Sequence, residues 1–512
     1  MGFYKVLSAS VQGLGVEFVQ VEADVSSGLP VFHMVGYLSS EVKEASERVR
    51  TAMKNTGFAL PARKVVVNLS PAGVRKRGSV FDLPIAVAVL SALQIIPAAR
   101  FQNTLLIGEL GLDGRVQPVN GVLAIVAEAK RYGVKACILP EENVREGLLV
   151  EGMQILGMRD LAEVCRWAKG QEKEKEDYAP EPGNQGDEPG KSSIDYSDIQ
   201  GQEAVKRATL VAVAGNHNLF YIGPPGAGKT MMAKRIPTIL PSLGREESLE
   251  ITRIYSAAGM LKNENPLIST RPFREVHHTV TKAALVGGGR VPSPGEVTLA
   301  HGGVLFLDEL AEFQRGVLEV LREPLEEKCV HLVRQYGAYC FPADFMLVAA
   351  TNPCPCGYYP DLEKCSCTIS QIQKYFGKIS QPFLDRLDIC VEAPKVKYEA
   401  LTGEKDIYTS REMRRKVEQA RKKQKERFLN SPVRTNSQMG RAEIDRFCRV
   451  DTEGNKLLQQ AYDVLNLTAR SYYKILKVAR TIADLDESER IEVFHLKEAI
   501  GYRMIDKKYW GL

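Results

Sequence analysis

Short apolar or alternating runs recur along the first third of the chain: FVQVEADV, KVVVNL, LLIGEL and ACILP. Their length and β-branched content predict strands. Between them, SEVKEASERVRTAMKNTG and VNGVLAIVAEAKRYG carry apolar residues three and four apart, the spacing of helices with one buried face. The most apolar stretch, FDLPIAVAVLSALQII, is interrupted by Asp82, Pro84, Ser91 and Gln94, which predicts a core helix and not a membrane span. Residues 170–191, GQEKEKEDYAPEPGNQGDEPGK, have almost no apolar side chains and are rich in Pro, Gly and acid. Such a segment buries too little to fold, so a disordered acidic linker is expected there. Strand and helix patterns alternate again up to about Pro394, and the remainder to Leu512 is almost wholly helical. The expected organisation is therefore an α/β domain over 1–169, the linker over 170–191, a second α/β unit over 192–395 and a helical lid over 396–512.

Composition changes this picture little. A chain of 512 residues is too long for one core. Its 44% hydrophobic and 26% charged residues are ordinary for a globular protein. A net charge of +5 permits an acidic partner without demanding one. The opening MGFYKVLSAS lacks the features of a secretory signal, and Val6 stands where a myristoylation start needs Ser or Thr. A cytoplasmic protein without a membrane segment is expected.

The chemistry begins at NLFYIGPPGAGKTMMAKRI, where an apolar strand runs into Gly223-Pro224-Pro225-Gly226-Ala227-Gly228-Lys229-Thr230 and then a helix. Glycines let backbone N–H groups turn inward around phosphate, and the helix N-terminus adds its positive dipole end. Lys229 can reach the β- and γ-phosphates of ATP, and the Thr230 hydroxyl can ligate Mg²⁺. Some eighty residues on, the apolar run GVLFL delivers Asp308 and Glu309 to a strand end. There Asp308 can hold the Mg²⁺ and Glu309 can polarise an attacking water. A third strand, FMLVAATN, ends in Asn352, which either senses the γ-phosphate or caps the next turn. Arg386, between acids in FLDRLD, is either an arginine finger for a neighbouring site or a surface ion pair.

Together with DIQGQEAVKRA, RPFREVHHTVTKAALVGGGRVPSPGEVTLAHGGVLFLDEL, FMLVAATNPCPCGYY and SYYKILKVARTIADL, these residues resemble the magnesium-chelatase-like AAA+ ATPases of the ComM/YifB type over nearly the whole chain. The resemblance implies an AAA+ motor with a parallel sheet and a helical lid. It assigns Asn352 as sensor 1, Arg386 as the trans-acting finger and Arg470 as the sensor-2 arginine, with Arg480 as a less favoured substitute. Ile199 and Gln200 fall where such proteins pack the adenine. It further implies a homo-hexameric ring with ATP between subunits, and a ring helicase that drives branch migration on single-stranded or branched DNA. The rival readings are a magnesium-chelatase motor subunit and a protein-remodelling ring.

The N-terminal domain is similar to the Lon protease domain through LLIGELGLDGRVQPVNGVLAIVAEAKRYGVKACILPEEN. The Ser–Lys dyad positions fall on Val80 and Ile125, neither of which can do that chemistry, with Ser79 adjacent to the first. No proteolysis is expected, and the domain reads as a substrate-binding or ring-organising module.

Four features remain. An insert over 257–298 lengthens the motor, and its adjacent His277 and His278 read as interface or insert residues and not as metal ligands. KCVHLVRQYGAYCFPADF has strand–turn–strand character, and its Arg334 and Tyr336 suit nucleic-acid phosphate and base contact unless the hairpin only packs on its neighbour. Residues 411–427 hold nine basic residues against three acidic ones, which fits either a DNA backbone contact or a solvated helix face. Cys354, Cys356, Cys365 and Cys367 form two C-x-C pairs that can surround one Zn²⁺, remain reduced, or form a disulfide.

Overall fold

The computed structural model describes residues 2–171, 194–262, 264–289, 292–334, 337–396 and 408–510. The expected linker over 170–191 lies, beyond its first two residues, outside the described residues, as does Tyr336.

The first unit is a mixed seven-stranded sheet. Its strands are β1 (Phe3–Gln12), β2 (Gly15–Ser26), β3 (Val31–Val35), β4 (Lys64–Ser70), β5 (Thr104–Leu106), β8 (Ala136–Pro140) and β9 (Gln154–Met158), with the short pair β6 (Glu109–Leu110) and β7 (Val116–Gln117) apart from it. Their order is β3-β4-β2-β1-β5-β8-β9. In β2 the strand period of two sends Val19, Val21, Ala23 and Val25 into the core. Helix Ser40–Asn55 buries Val42, Ala45, Val49, Ala52 and Met53, a stripe at helical spacing. Every residue of helix Asp82–Ala92 is buried, so the most apolar stretch of the sequence is a core helix. Among the described residues no helix is long and apolar enough to cross a membrane.

The second unit is built on β10 (Leu219–Ile222), β11 (Phe273–Val276), β12 (Val304–Leu307), β15 (Met346–Thr351) and β16 (Ile389–Glu392), all parallel, in the order β11-β12-β15-β10-β16. A parallel sheet needs cover on both faces, and its central strands are apolar throughout for that reason. Alternate residues feed two cores. Leu219, Tyr221, Val304, Phe306 and Val348 join helices Glu203–Gly215, Ser410–Arg427 and Ala469–Leu485 on one side. Phe220, Ile222, Leu305, Leu307 and Leu347 face a layer that includes Leu285, Leu318 and Phe376 on the other. That second layer also takes Val330, Leu332 and Phe341 from the antiparallel hairpin β13 (Cys329–Arg334) and β14 (Gly337–Pro342).

From Ser410 on, the described regular structure is helical: Ser410–Arg427, Arg441–Phe447, Thr452–Leu465, Ala469–Leu485 and Val493–Trp510, with one 3₁₀ turn at Asn436–Gln438. These helices are held together partly by the buried Asp484 carboxylate. It accepts hydrogen bonds from Arg427 at 2.8 Å, Arg480 at 3.2 Å and Asn436 at 2.8 Å. The first unit docks on the second through helix Arg245–Ala257: Arg245 pairs with Glu151 at 2.6 Å, and Gly121 N–H donates to Ser256 O at 3.2 Å.

Candidate nucleotide site

Strand register assembles the site. The ends of β10, β15 and β12 lie side by side, with Ile222 opposite Thr351 and Leu307 opposite Ala349. The loops that leave these three strands therefore open at one edge, the carboxyl end of a parallel sheet where such folds bind ligands. Gly223–Gly228 leaves β10, Asp308 and Glu309 follow β12, and Asn352 follows β15.

The loop is shaped for phosphate. Gly226 and Gly228 have φ of +77° and +80°, and a Cβ at either would meet nothing within 4 Å, so the backbone curls around open space. Helix Lys229–Ile239 starts at the loop's end. The Lys229 ammonium donates to Gly223 O at 2.6 Å, Pro224 O at 3.0 Å and Asn352 Oδ1 at 3.1 Å. Burial pulls this amine down to about 8, against the opposing pull of the Asp308 and Glu309 carboxylates. Thr230 Oγ1 donates to Asp308 Oδ2 at 2.6 Å, so the two oxygens suited to a hard cation already touch. Asp308 Oδ1 accepts from Glu309 N–H at 2.9 Å, and the Glu309 side chain is half exposed.

The expected adenine segment lies beside the loop. Ile199 is buried and Gln200 is partly exposed. Gln202, which the sequence did not single out, donates to Ala227 O at 3.3 Å and also to Pro394 O, tying this segment to the cradle.

Arg386 and Arg470 converge on one carboxylate. Arg386 Nη2 lies 2.8 Å from Glu326 Oε1, and Arg470 hydrogen-bonds the same oxygen. Burial pushes the Glu326 carboxyl up, but the two guanidinium groups outweigh it and hold it below its ordinary range. Arg386 is only 7% exposed, and its Nε is buried without a hydrogen-bond partner. Arg480 is engaged inside the helical C-terminal region, donating to Asp484, to Glu489 O at 2.8 Å and to Ser488 O at 2.6 Å.

His277 and His278 stack at 4.1 Å, and His278 Nδ1 lies 3.2 Å from Glu309 Oε2. From sequence the pair is expected to be interface or insert residues and not metal ligands. The parallel register Val276 to Leu307 instead carries residues two beyond each strand end, 278 and 309, to the same edge.

The remaining candidates take no part in these contacts at the strand ends. Arg334 is exposed at the end of β13 and bonds to Val333 O at 2.9 Å. In the basic helix Arg421 donates to Val213 O at 2.8 Å and Arg427 to Asp484, while Arg411, Arg415, Lys416, Lys422 and Lys425 stay exposed. In the first unit Val80 and Ile125 are buried, and the Ser79 hydroxyl bonds to Glu109 and not to an amine. Cys354, Cys356, Cys365 and Cys367 bring their thiols within 4.8 Å of one another.

A phosphate-shaped loop between strand and helix, two carboxylates after the next-but-one strand and a helical C-terminal region define a P-loop nucleotide-binding fold of the AAA+ class. Comparison with known proteins places it more closely. The family described as magnesium chelatase, subunit ChlI, matches residues 195–401, its C-terminal family matches 408–503, and a family described as subunit ChlI of Mg-chelatase matches 21–143. YifB of Escherichia coli is 40% identical over 501 residues, covering 97% of this chain and 96% of its own. Competence protein ComM of Haemophilus influenzae is 39% identical over 502 residues, 97% of each chain. Lon protease 2 of Bacillus subtilis is 30% identical over 190 residues, 31% of this chain and 33% of its own. The chain belongs to the magnesium-chelatase-like family, ComM/YifB type. Membership implies ATP and Mg²⁺ as its nucleotide and metal.

Proposed function

We propose that the chain is one subunit of an ATP-hydrolysing ring, a homo-hexamer that translocates on DNA and drives branch migration as a helicase. The observation that carries the motor reading is the convergence of the cradle, the Thr230–Asp308 contact and Asn352 at three neighbouring strand ends. Lys229 leaves the loop carbonyls to hold the β- and γ-phosphates, and Thr230 and Asp308 hold Mg²⁺. Glu309 takes the proton of the attacking water, and Asn352 positions that water against the γ-phosphate. Ile199 and Gln200 pack the adenine.

Arg386 acts in trans on a neighbour's nucleotide and Arg470 is the sensor-2 arginine, a reading supported by the carboxylate they share. For this Arg386 must leave Glu326 as the neighbouring subunit docks; its unpartnered Nε marks the cost of keeping it folded down. Two such half-sites close only in a ring. The ComM-type resemblance and the competence protein among the full-length relatives support DNA as the polymer. Arg334, Tyr336 and the exposed basic side chains of helix Ser410–Arg427 are its contacts. The first unit organises substrate or ring without proteolysis, since Ser79 faces a carboxylate. The thiol quartet holds one structural Zn²⁺.

The test is ATPase rate with single-stranded, duplex and branched DNA at one fixed salt concentration. Branched DNA should stimulate most. A rate indifferent to every DNA but raised by a large chelatase subunit would replace this reading with the chelatase motor. A rate raised only by unfolded protein would replace it with protein remodelling.

A further inference from the structure

The segment 354–367 has no strand or helix of its own, yet it is pinned beside the nucleotide loop. Cys354 is fully buried in the apolar layer that contains Phe376 and Tyr509. Its Sγ lies 3.3 Å from that of Cys356 and 3.8 Å from that of Cys365, and Cys356 and Cys365 are 3.6 Å apart. No disulfide joins them. Four sulfurs about 2.3 Å from a tetrahedral Zn²⁺ stand about 3.8 Å from each other, the spacing that Cys354, Cys356 and Cys365 approach, with Cys367 within 4.8 Å of all three.

The surrounding backbone completes the shell. Gly357 and Tyr359 N–H groups donate to Cys354 Sγ at 3.2 and 3.4 Å. Tyr358 and Ser366 amides are aimed at Cys356, the Cys367 amide at Cys365 and the Cys356 amide at Cys367. Backbone N–H donors around the sulfurs fix where their lone pairs point, as outer hydrogen bonds do for metal ligands. Reduced thiols packing as small apolar groups would not need such donors.

Two connections link this shell to the phosphate loop. Cys354 follows Asn352 by two residues, and Asn352 Oδ1 accepts from Lys229. Gly357, at φ +86°, lies so close to the phosphate loop that a Cβ there would stand 2.5 Å from Pro225 Cδ and 2.8 Å from its Cγ. We infer that the four-thiolate loop is a metal-locked brace: bound Zn²⁺ fixes the Gly357–Pro225 contact and the Asn352 amide, and so sets the shape of the nucleotide cradle. This rests on the zinc assignment and adds to it a dependence of ATP affinity on the metal. Cys356→Ser with Cys367→Ser removes two ligands. Gly357→Ala leaves all four ligands in the chain and sets a Cβ against Pro225, at a residue whose φ of +86° also disfavours a side chain.

The experiment combines metal content per chain with the affinity for a fluorescent ATP analogue. Wild-type protein purified without chelator should carry about one zinc per chain. Gly357→Ala should keep the zinc and bind the nucleotide roughly tenfold more weakly, the size of one lost charged contact. The double serine variant should lose both metal and affinity. Since that variant can misfold, chelation of the wild type is followed by hydrogen exchange: amides of 223–230 should open faster while those of helix Glu203–Gly215 do not change. Wild-type protein that binds the nucleotide but contains no zinc overturns the metal assignment and the brace with it. Zinc present, with Gly357→Ala and the chelated wild type binding like the untreated protein, overturns the brace alone.

Discussion

Raising the pH from 7 to 9 should discharge Lys229 before nucleotide arrives. Burial against the loop holds its amine at about 8 in the free protein, below the usual lysine value. At pH 7 roughly nine in ten chains carry the charge and at pH 9 roughly one in ten, from the single-site titration. Triphosphate oxygens stabilise the ammonium, so the value rises in the complex and binding takes up a proton. The sign follows: affinity is full below about pH 8 and falls as pH climbs from there towards the value in the complex. Between pH 7 and 9 the ATP dissociation constant should rise roughly tenfold, about 1.4 kcal/mol. The Mg²⁺-bound triphosphate is already ionised over this range and adds no slope of its own. Equilibrium titration with a fluorescent ATP analogue at pH 7, 8 and 9 and constant ionic strength reads the effect. Lys229→Arg, whose guanidinium stays charged throughout, should give a flat profile even if its affinity is lower. A flat wild-type profile, or the same slope in Lys229→Arg, would refute the assignment of this lysine to phosphate.

Three further outcomes are expected. Arg386→Ala should lower turnover more than a hundredfold, an interval within what arginine fingers contribute. Doping it into wild-type rings should alter the ATPase rate of the mixture in a non-additive way, whereas strictly additive mixing would argue against a shared site. Asp484→Ala leaves Arg427 and Arg480 without their buried carboxylate and should destabilise the lid by about 3–5 kcal/mol in urea unfolding; a loss under about 1 kcal/mol would contradict the packing described. Casein should survive incubation with the protein and ATP, and Ser79→Ala should leave the ATPase rate unchanged, because Ser79 lies against the Glu109 carboxylate and Ile125 stands at the dyad's lysine position.

What could be read from the sequence was what is local in it. The cradle is eight consecutive residues between an apolar strand and a helix, and the acids and the amide each close an apolar run. Periodicity was enough for the α/β class and the helical C-terminal region. What stayed hidden depends on strand order and register. His278 meets Glu309 because β11 and β12 are parallel neighbours ending at Val276 and Leu307. Gly357 meets Pro225 because β15 and β10 are neighbours whose exits lie side by side. Arg386 and Arg470 share Glu326 across 60 and 144 residues of chain, distances over which no pattern of apolar positions carries information. The burial of Arg386 was equally illegible, because an arginine between two acids in a short turn reads as exposed.

ATP cleavage at this site depends on the chemistry between the cradle and the two carboxylates. Glu309→Gln, assayed in rapid-quench single turnovers with radiolabelled ATP and Mg²⁺, isolates it. The variant should bind ATP as tightly as the wild type and cleave it at least a hundredfold more slowly, within the range general-base removal costs. Cleavage at the wild-type rate, with ATP bound, would show that the water is activated elsewhere.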